Sequence, residues 1–251
     1  MSLHVERDGD GPDLVLLHGW GLHSGAWAEA RPALARRFRV HAVDLPGHGR
    51  SAHVPVDDFE AAVQRVGEVT PAGALLCGWS LGGLVAQALA RKDHPIRALA
   101  LVATTPCFTT RGDWPHAMRP ATLEAFAQGL HRDRERTLRD FVQLNALHGT
   151  HARESVRAMS RLLADHPAPF AALEATLGWL RDIDLRAAIP GLAMPAVVVH
   201  GGRDALAPVE AGRWLAAHLP QARLVELPDA AHLPFFTHRD AFVAALESLV
   251  G

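Results

Sequence analysis

The feature that most constrains the fold is a set of short, almost wholly apolar runs separated by amphipathic stretches. Five such runs span residues 14–17, 40–43, 74–77, 98–102 and 196–199. A sixth run, at 223–227, alternates more. Continuous apolar runs of this length are typical of strands in a parallel sheet that is covered on both faces. Helical patterns fall between or after these runs, at 26–36, 59–69, 81–91, 209–218 and 239–250. This order predicts an α/β chain with a doubly wound, mostly parallel sheet.

One region breaks the alternation. Between about residues 109 and 184 there is no good strand, and helical stretches occur instead at 123–130, 135–147, 152–163 and 169–180. The region follows the carboxyl end of a strand, where open α/β sheets bind their ligands. We therefore predict a core of residues 1–108 and 185–251, with residues 109–184 inserted as a helical lid. The alternative is a peripheral subdomain that only adds stability.

Charge and composition exclude several classes of protein. The 251 residues carry 25 basic and 27 acidic side chains, a net charge of −2, which argues against a nucleic-acid binder. Two cysteines, Cys77 and Cys107, are too few for a four-thiolate zinc site or a disulfide scaffold. The first residues do not resemble a signal peptide, and no run reaches the length of a membrane span. We expect a cytoplasmic protein without a membrane partner.

The most informative motif is Gly-Trp-Ser-Leu-Gly at 78–82, a G-x-S-x-G that follows an apolar strand and opens an amphipathic helix. That context is what the nucleophile elbow requires. Gly78 and Gly82 lack the Cβ atoms that would collide across so tight a turn. The motif predicts Ser80 as a nucleophile. A glycine-rich turn with an idle serine is the alternative.

A serine hydroxyl needs a base to take its proton and a carboxylate to orient that base. Asp204 follows the strand at 196–199, and His232 follows the last strand, so the chain order Ser80, Asp204, His232 fits an elbow enzyme. Asp229 is the second candidate for the acid. His200 is a second candidate for the base, although its position at a strand's end predicts a packed side chain.

The developing oxyanion needs backbone donors. One N–H is expected from Leu81, directly after the nucleophile, and the other from the loop His-Gly-Trp-Gly at 18–21. The sequence lacks a G-x-G-x-x-G at a strand–helix junction, a G-x-x-x-x-G-K-[ST] and an H-E-x-x-H. The nearest metal pair, His148 and His151, has no third ligand beside it. We therefore expect neither a cofactor nor a metal.

Together with Asp-Leu-Pro-Gly-His-Gly-Arg-Ser at 44–51, these residues resemble the α/β-hydrolase superfamily along the whole chain. Gly-Trp-Gly at 19–21, Gly-Trp-Ser-Leu-Gly-Gly at 78–83 and Pro-Cys-Phe at 106–108 resemble more narrowly the pimeloyl-[acyl-carrier protein] methyl ester esterases of biotin synthesis. That resemblance implies Ser80, Asp204 and His232 as the triad, and Trp20 and Leu81 as the oxyanion donors. It also implies acyl-chain contacts from a lid segment that comprises Phe141, Val142, Gln143, Leu144 and Asn145.

The charge of the lid points to an acidic partner. Between residues 131 and 161 seven arginines stand against four acidic residues, a local net charge of +3. Guanidinium rows suit carboxylates and phosphates, and acyl carrier proteins are acidic with a phosphate-bearing arm. The family's carrier-docking arginines map best to Arg136, Arg153 and Arg157. A fourth position holds Asp140, with Arg139 beside it.

The sequence thus predicts a monomeric serine esterase that acts on an acyl chain bound to acyl carrier protein. Two other functions stay open at this point. One is a general short-chain carboxylesterase or a carbon–carbon bond hydrolase of the same fold. The other is a non-catalytic ligand-binding protein, which would not need all three triad residues.

Overall fold

The structure, a computed structural model, describes residues 1–92 and 94–250, whose strands form one seven-stranded sheet. The strands are β1 (Val5–Asp8), β2 (Asp13–Leu17), β3 (Arg39–Val43), β4 (Ala74–Trp79), β5 (Ile96–Val102), β6 (Ala196–Gly201) and β7 (Ala222–Leu227). Their order across the sheet is β1-β3-β2-β4-β5-β6-β7. β1 runs antiparallel to β3, and the other neighbours are parallel. The expected doubly wound, mostly parallel sheet is confirmed.

Ten α-helices lie in the described residues. They are α1 (Arg31–Leu34), α2 (Phe59–Val69), α3 (Leu81–Ala90), α4 (Pro120–Arg132), α5 (Arg134–Ala146), α6 (Ala152–Asp165), α7 (Phe170–Asp182), α8 (Val209–His218), α9 (Pro234–Thr237) and α10 (Arg239–Glu247). Short 3₁₀ turns lie at Ser24–Trp27, Gly49–Ser51 and Arg186–Gly191. No helix in the described part of the chain is long and apolar enough to cross a membrane.

The sheet is buried on both faces because alternate strand residues enter two separate hydrophobic clusters. In β4, Leu76 packs into one cluster together with residues of α2 and α3, whereas Leu75 and Cys77 pack into the other. The second cluster includes Trp27 and, from α10, Phe242. A fully buried leucine stabilises the fold by about 1.5–3 kcal/mol, so the two-sided burial explains why these strands read as continuous apolar runs.

Strand register brings the carboxyl ends of β2, β4, β6 and β7 to one edge of the sheet. Leu17 pairs with Gly78, and Gly201 pairs with Leu227. The loops that follow these strands therefore emerge side by side. This edge holds the elbow serine and the loops that carry Asp204 and His232.

In chain order, helices α4 to α7 all follow β5 and precede β6. Helix α5 packs against both α4 and α6. Residues of α4, α5 and α7 line a pocket together with Ser80, so these helices lie over the carboxyl edge of the sheet. That residues 109–184 act as a lid stays a prediction.

One local prediction differs from the structure, and one edge strand was not predicted. The helix predicted at 26–36 is wrong, because this segment contains a 3₁₀ turn at Ser24–Trp27 and the single turn of α1. Pro32 lies in the first turn of α1, and since proline has no N–H, a longer helix could not run through it. Strand β1 was not predicted, because three of its four residues are charged and it is a partly exposed edge strand.

Candidate active site

Ser80 lies at the junction of β4 and α3 in a backbone conformation that few non-glycine residues adopt. Its φ is 54° and its ψ is −117°. Such strain costs on the order of 1–3 kcal/mol and persists only where the surrounding structure imposes it. A Cβ on Gly78 would collide with the backbone of Gly82, and one on Gly82 would lie 2.6 Å from the carbonyl oxygen of His18. The two glycines therefore permit the tight turn that strains the serine.

His232 and Asp204 form a buried, hydrogen-bonded pair. Nδ1 of His232 lies 2.7 Å from Oδ2 of Asp204, and the side chains are 1% and 0% exposed. Because an ionised carboxylate can only accept, Nδ1 carries the hydrogen and donates it. Nε2 is then left with a free lone pair, which is the tautomer that a general base requires.

The carboxylate of Asp204 is itself fixed by the backbone. Its Oδ1 accepts hydrogen bonds from the N–H groups of Leu206 and Ala207, each at 2.9 Å. Burial alone would raise the pKa of Asp204, but His232, together with His200 and the backbone N–H of Ala207, outweighs burial and holds that pKa below its usual value. Asp204 is therefore ionised at neutral pH and oriented toward the imidazole.

The loop that carries His232 is anchored at two points. Nε1 of Trp79, the residue before Ser80, donates to the carbonyl oxygen of His232 at 2.8 Å, and the N–H of His232 donates to the carbonyl oxygen of Asn145 at 3.1 Å. These bonds tie the histidine loop to the elbow and to α5. Among the described residues no hydrogen bond joins the Ser80 hydroxyl to His232. Such contacts are often loose without substrate and tighten when it binds.

The second candidates for base and acid are His200, whose Nε2 also lies 3.6 Å from Oδ2 of Asp204, and Asp229. His200 is fully buried in β6, and its Nε2 donates to the carbonyl oxygen of Ala207 at 2.8 Å. Asp229 lies 3.0 Å from Nε2 of His238. The structure thus places His200 in the core behind Asp204, and it places Asp229 against a different histidine.

Two backbone N–H groups near Ser80 have no acceptor in the described part of the chain. Leu81 is the first residue of α3, so its N–H has no partner within the helix. Trp20 lies in the loop after β2. Across residues 1–92 and 94–250, no carbonyl or side chain accepts a hydrogen bond from either N–H. Both groups are available to an oxyanion, and the positive end of the α3 dipole adds to the attraction.

An apolar pocket of about 70 Å³ contains Ser80 in its wall. The residues that line it are Trp20, Ser80, Phe108, Met118, Thr122, Leu123, Phe126, Phe141, Leu144, Leu177, Leu180 and Leu206. Apart from Ser80 and Thr122, every lining side chain is apolar. The polarity of the lining suits an aliphatic chain and offers no charge to a carboxylate.

The structure brings two of the five predicted acyl-contact residues to this pocket. Phe141 and Leu144 line it. Val142 packs into the second core cluster, and Gln143 is exposed. Asn145 is buried, and its amide donates to the carbonyl oxygen of Phe141 at 2.8 Å. This division follows from the helical geometry of α5, since residues three apart share a face and their immediate neighbours do not.

Sequence reasoning missed most of the pocket. Met118, Phe126, Leu177, Leu180 and Leu206 line it beside Ser80. On the sequence they are apolar residues of the insertion and of the loop after β6, with no feature that separates them from ordinary core residues. No sequence signal could have found them.

The predicted carrier-docking arginines fall into two groups. On α5, Arg136 lies 3.9 Å from Asp140 and Arg139 lies 3.5 Å from Glu135, each one helical turn away. These exposed pairs are weak. Both α5 arginines therefore have an acidic neighbour that would compete with any acidic partner.

On α6, Arg153 and Arg157 are exposed and line an open groove with Gln143 and Leu147. Within the described residues neither arginine lies in an ion pair, so both guanidinium groups are accessible to a partner.

Comparison with known proteins identifies the family of this chain. The family model of the alpha/beta hydrolase fold matches residues 12–239. A pimeloyl-[acyl-carrier protein] methyl ester esterase from Chromobacterium violaceum is 46% identical over 248 residues, which are 98% of this chain and 97% of its own. A protein of the same name from Nitrosomonas europaea is 41% identical over 251 residues, covering 99% of each chain. The solved structure of an esterase (EaEST) from Exiguobacterium antarcticum superposes with a TM-score of 0.91 at 25% identity, covering 99% of this chain and 95% of that one. The chain therefore belongs to the alpha/beta hydrolase fold family and, within it, to the pimeloyl-[acyl-carrier protein] methyl ester esterases.

Proposed function

We propose that this chain hydrolyses the methyl ester of a pimeloyl group carried on acyl carrier protein, which releases methanol and frees the pimeloyl carboxylate. The observation that carries the proposal is the buried His232–Asp204 pair, which lies at the same edge of the sheet as Ser80. Ser80 has a strained backbone and lines an apolar pocket. Membership of the esterase family supports the choice of substrate.

In the acylation step, Nε2 of His232 takes the proton of the Ser80 hydroxyl, and the oxygen attacks the ester carbonyl carbon. The resulting oxyanion is stabilised by the N–H groups of Trp20 and Leu81. Each such donor is worth about 2.7–4 kcal/mol of transition-state stabilisation. The histidinium returns its proton to the departing methoxy oxygen, so methanol leaves and an acyl-enzyme ester remains.

In the deacylation step, water enters in place of methanol and His232 takes one of its protons. The resulting hydroxide attacks the acyl carbon, the Ser80 oxygen leaves and recovers a proton from the histidinium, and the carboxylic acid is released. Asp204 keeps the imidazole oriented in both steps and stabilises its charged form.

The lining of the pocket favours binding of the ester over binding of the product. A neutral methyl ester and its methylene chain can enter an apolar pocket without losing strong hydration. The product carboxylate cannot, because burying an ion without a partner is costly. No lining residue carries a charge, so the product is expected to leave readily.

The carrier protein is proposed to dock on the arginines of the insertion. Arg153 and Arg157 on α6 are the strongest contributors, because both are exposed and free of acidic partners among the described residues. Arg136 and Arg139 contribute less, because Asp140 and Glu135 already compete for them. The insertion then acts as a lid that presents the carrier to the pocket.

The test compares hydrolysis of methyl pimeloyl-acyl carrier protein with hydrolysis of free dimethyl pimelate. We expect a much higher kcat/KM for the carrier-bound ester. The double variant Arg153→Glu with Arg157→Glu should lower kcat/KM for the carrier-bound ester about tenfold or more, through like-charge repulsion, and spare dimethyl pimelate.

The control is Arg36→Glu with Arg37→Glu, a pair of exposed arginines just before β3, at the opposite edge of the sheet. It should behave like the wild type on both esters. No hydrolysis of the carrier-bound ester would contradict the proposed substrate. Equal losses on both esters in the α6 variant would contradict carrier docking there.

A further inference from the structure

The peptide group between Gly19 and Trp20 has two functional ends. Its N–H end is the Trp20 donor to the oxyanion in the proposed function. Its carbonyl end, the oxygen of Gly19, lies 2.8 Å from Nδ1 of His18. The described peptide bonds include no cis bond, so the carbonyl and the N–H of this group point in opposite directions. A side chain that fixes the carbonyl therefore fixes the direction of the N–H.

The tautomer of His18 is determined by its two neighbours. A carbonyl oxygen only accepts, so Nδ1 must carry the hydrogen that reaches Gly19. On the other side of the ring, the N–H of Leu45 donates to Nε2 at 3.0 Å, so Nε2 must be unprotonated. The imidazole thus bridges the loop after β2 and the loop after β3, with one donor and one acceptor both in use.

The surroundings of His18 keep it neutral. The side chain is fully buried, and burial, followed by the nearby His48, lowers the pKa of His18 to about 3. The His48 ring lies 5.4 Å away, centroid to centroid. A proton on Nε2 would face the N–H of Leu45 and break that bond. Neutrality preserves both hydrogen bonds at any pH at which an esterase of this kind works.

We infer that His18 is a positioning residue for ester hydrolysis, which orients and polarises the Gly19–Trp20 peptide so that the Trp20 N–H is aimed at the oxyanion. The inference rests on the proposed function, because it needs an oxyanion at Ser80. A hydrogen bond to a peptide carbonyl also strengthens the N–H of the same group as a donor, since linked hydrogen bonds polarise one another. His18 itself does not touch the substrate.

Two variants separate the two hydrogen bonds of the ring. His18→Asn places an amide N–H near the position of Nδ1, so it keeps the donor to Gly19 and loses the acceptor for Leu45. His18→Gln places an amide oxygen near Nε2, so it keeps the acceptor and loses the donor. If His18 only fills the core, activity and melting temperature should fall together in both variants. If His18 is a positioning residue, activity and melting temperature should change independently in the two variants.

The experiment measures kcat and KM for p-nitrophenyl butyrate, the inhibition constant of a trifluoromethyl ketone with the same chain, and the melting temperature. For His18→Gln we expect kcat to fall about 10- to 100-fold with little change in KM, somewhat less than the loss of a whole oxyanion donor. The ketone, which forms an oxyanion on the enzyme, should lose affinity by the same factor. His18→Asn should keep kcat within about threefold of wild type and melt at a lower temperature, because the buried Leu45 N–H loses its acceptor.

The matched control is His48→Asn. His48 is equally buried, and its Nδ1 donates to the carbonyl oxygen of Pro46 at 2.9 Å, a bond that asparagine can keep. Since His48 makes no hydrogen bond to the Gly19–Trp20 peptide in the described structure, kcat should stay at the wild-type value.

Two results would overturn the inference: a His18→Gln enzyme with wild-type kcat, or activity that falls in step with melting temperature in both His18 variants. If His18→Gln does not fold, His18→Asn still decides, because a folded Asn variant that loses kcat more than about tenfold contradicts the role of the donor. Ser80→Ala distinguishes this outcome from a failure of the proposed function. A dead Ser80→Ala enzyme beside an unaffected His18→Gln enzyme rejects only the positioning role, whereas an active Ser80→Ala enzyme rejects the serine mechanism itself.

Discussion

Replacing Asp204 with asparagine tests the triad through the tautomer of His232. In the wild type, Oδ1 of Asp204 accepts from the N–H groups of Leu206 and Ala207, and Oδ2 faces Nδ1 of His232. Asparagine can keep its oxygen on the two backbone donors only if its NH₂ group faces the imidazole. Nδ1 must then accept, the hydrogen moves to Nε2, and the base loses the lone pair that would take the proton of Ser80.

The opposite orientation of the amide is too costly to rescue activity. It would leave the two buried N–H groups of Leu206 and Ala207 without an acceptor, at about 1–3 kcal/mol each. The wrong tautomer in a serine triad lowers kcat about 10⁴-fold, which corresponds to about 5.4 kcal/mol at about 1.36 kcal/mol per factor of ten. We therefore expect Asp204→Asn to lower kcat for p-nitrophenyl butyrate by about 10³- to 10⁴-fold.

The matched control is Asp229→Asn. Asp229 precedes the same histidine loop but pairs with His238, so this variant should keep kcat within about threefold of wild type. Stopped-flow or steady-state release of p-nitrophenol measures both. An Asp204→Asn enzyme within tenfold of wild type, or an equal loss in Asp229→Asn, would refute the assignment of the acid.

Three further predictions follow from burial and packing. Burial lowers the pKa of His48 in the folded chain, so as the pH falls below about 6.5 this side chain is protonated mainly in the unfolded chain. The fold is thereby destabilised by up to about 1.4 kcal/mol per pH unit. Urea unfolding at about pH 7 and about pH 5 should therefore show that His48→Asn loses less free energy of unfolding than the wild type does. Gly82→Ala should destabilise the fold by about 1–3 kcal/mol or prevent folding, because the added Cβ would meet backbone atoms. The control is Gly178→Ala, whose Cβ has open space around it and which should leave the melting temperature unchanged or raise it. Phe141→Ala should lower kcat/KM about tenfold for dimethyl pimelate but much less for methyl acetate, because only the longer chain reaches that wall of the pocket; equal losses would contradict the acyl contact.

The parts of the fold that could be predicted are those in which one physical requirement dominates. β4 and β6 are recognisable because both faces are buried and almost every residue is therefore apolar. The positions of Ser80, Asp204 and His232 follow from the same requirement, since loops after neighbouring parallel strands emerge at one edge. To predict that the three side chains lie close together, only the order of the strands in the sheet was needed in addition.

The parts that could not be predicted depend on tertiary contacts that leave no periodic signal. β1 is a polar edge strand that exists because β3 offers it hydrogen bonds. The pocket residue Phe126 has the same apolar pattern as a core residue, and only the packing of α4 against α5 places it beside Trp20. The hydrogen bond from His18 to the neighbouring Gly19 carbonyl could not be predicted from the sequence either, because it depends on a ring orientation that Leu45 helps to fix.

The central claim is that Ser80 is the nucleophile and that His232 activates it. The most direct measurement is labelling with an alkyl fluorophosphonate, followed by mass spectrometry of the peptides and repeated on His232→Gln. We predict one adduct on Ser80, formed at least 100-fold more slowly when His232 is replaced. A label on any other residue, or an unchanged labelling rate in His232→Gln, would contradict the account.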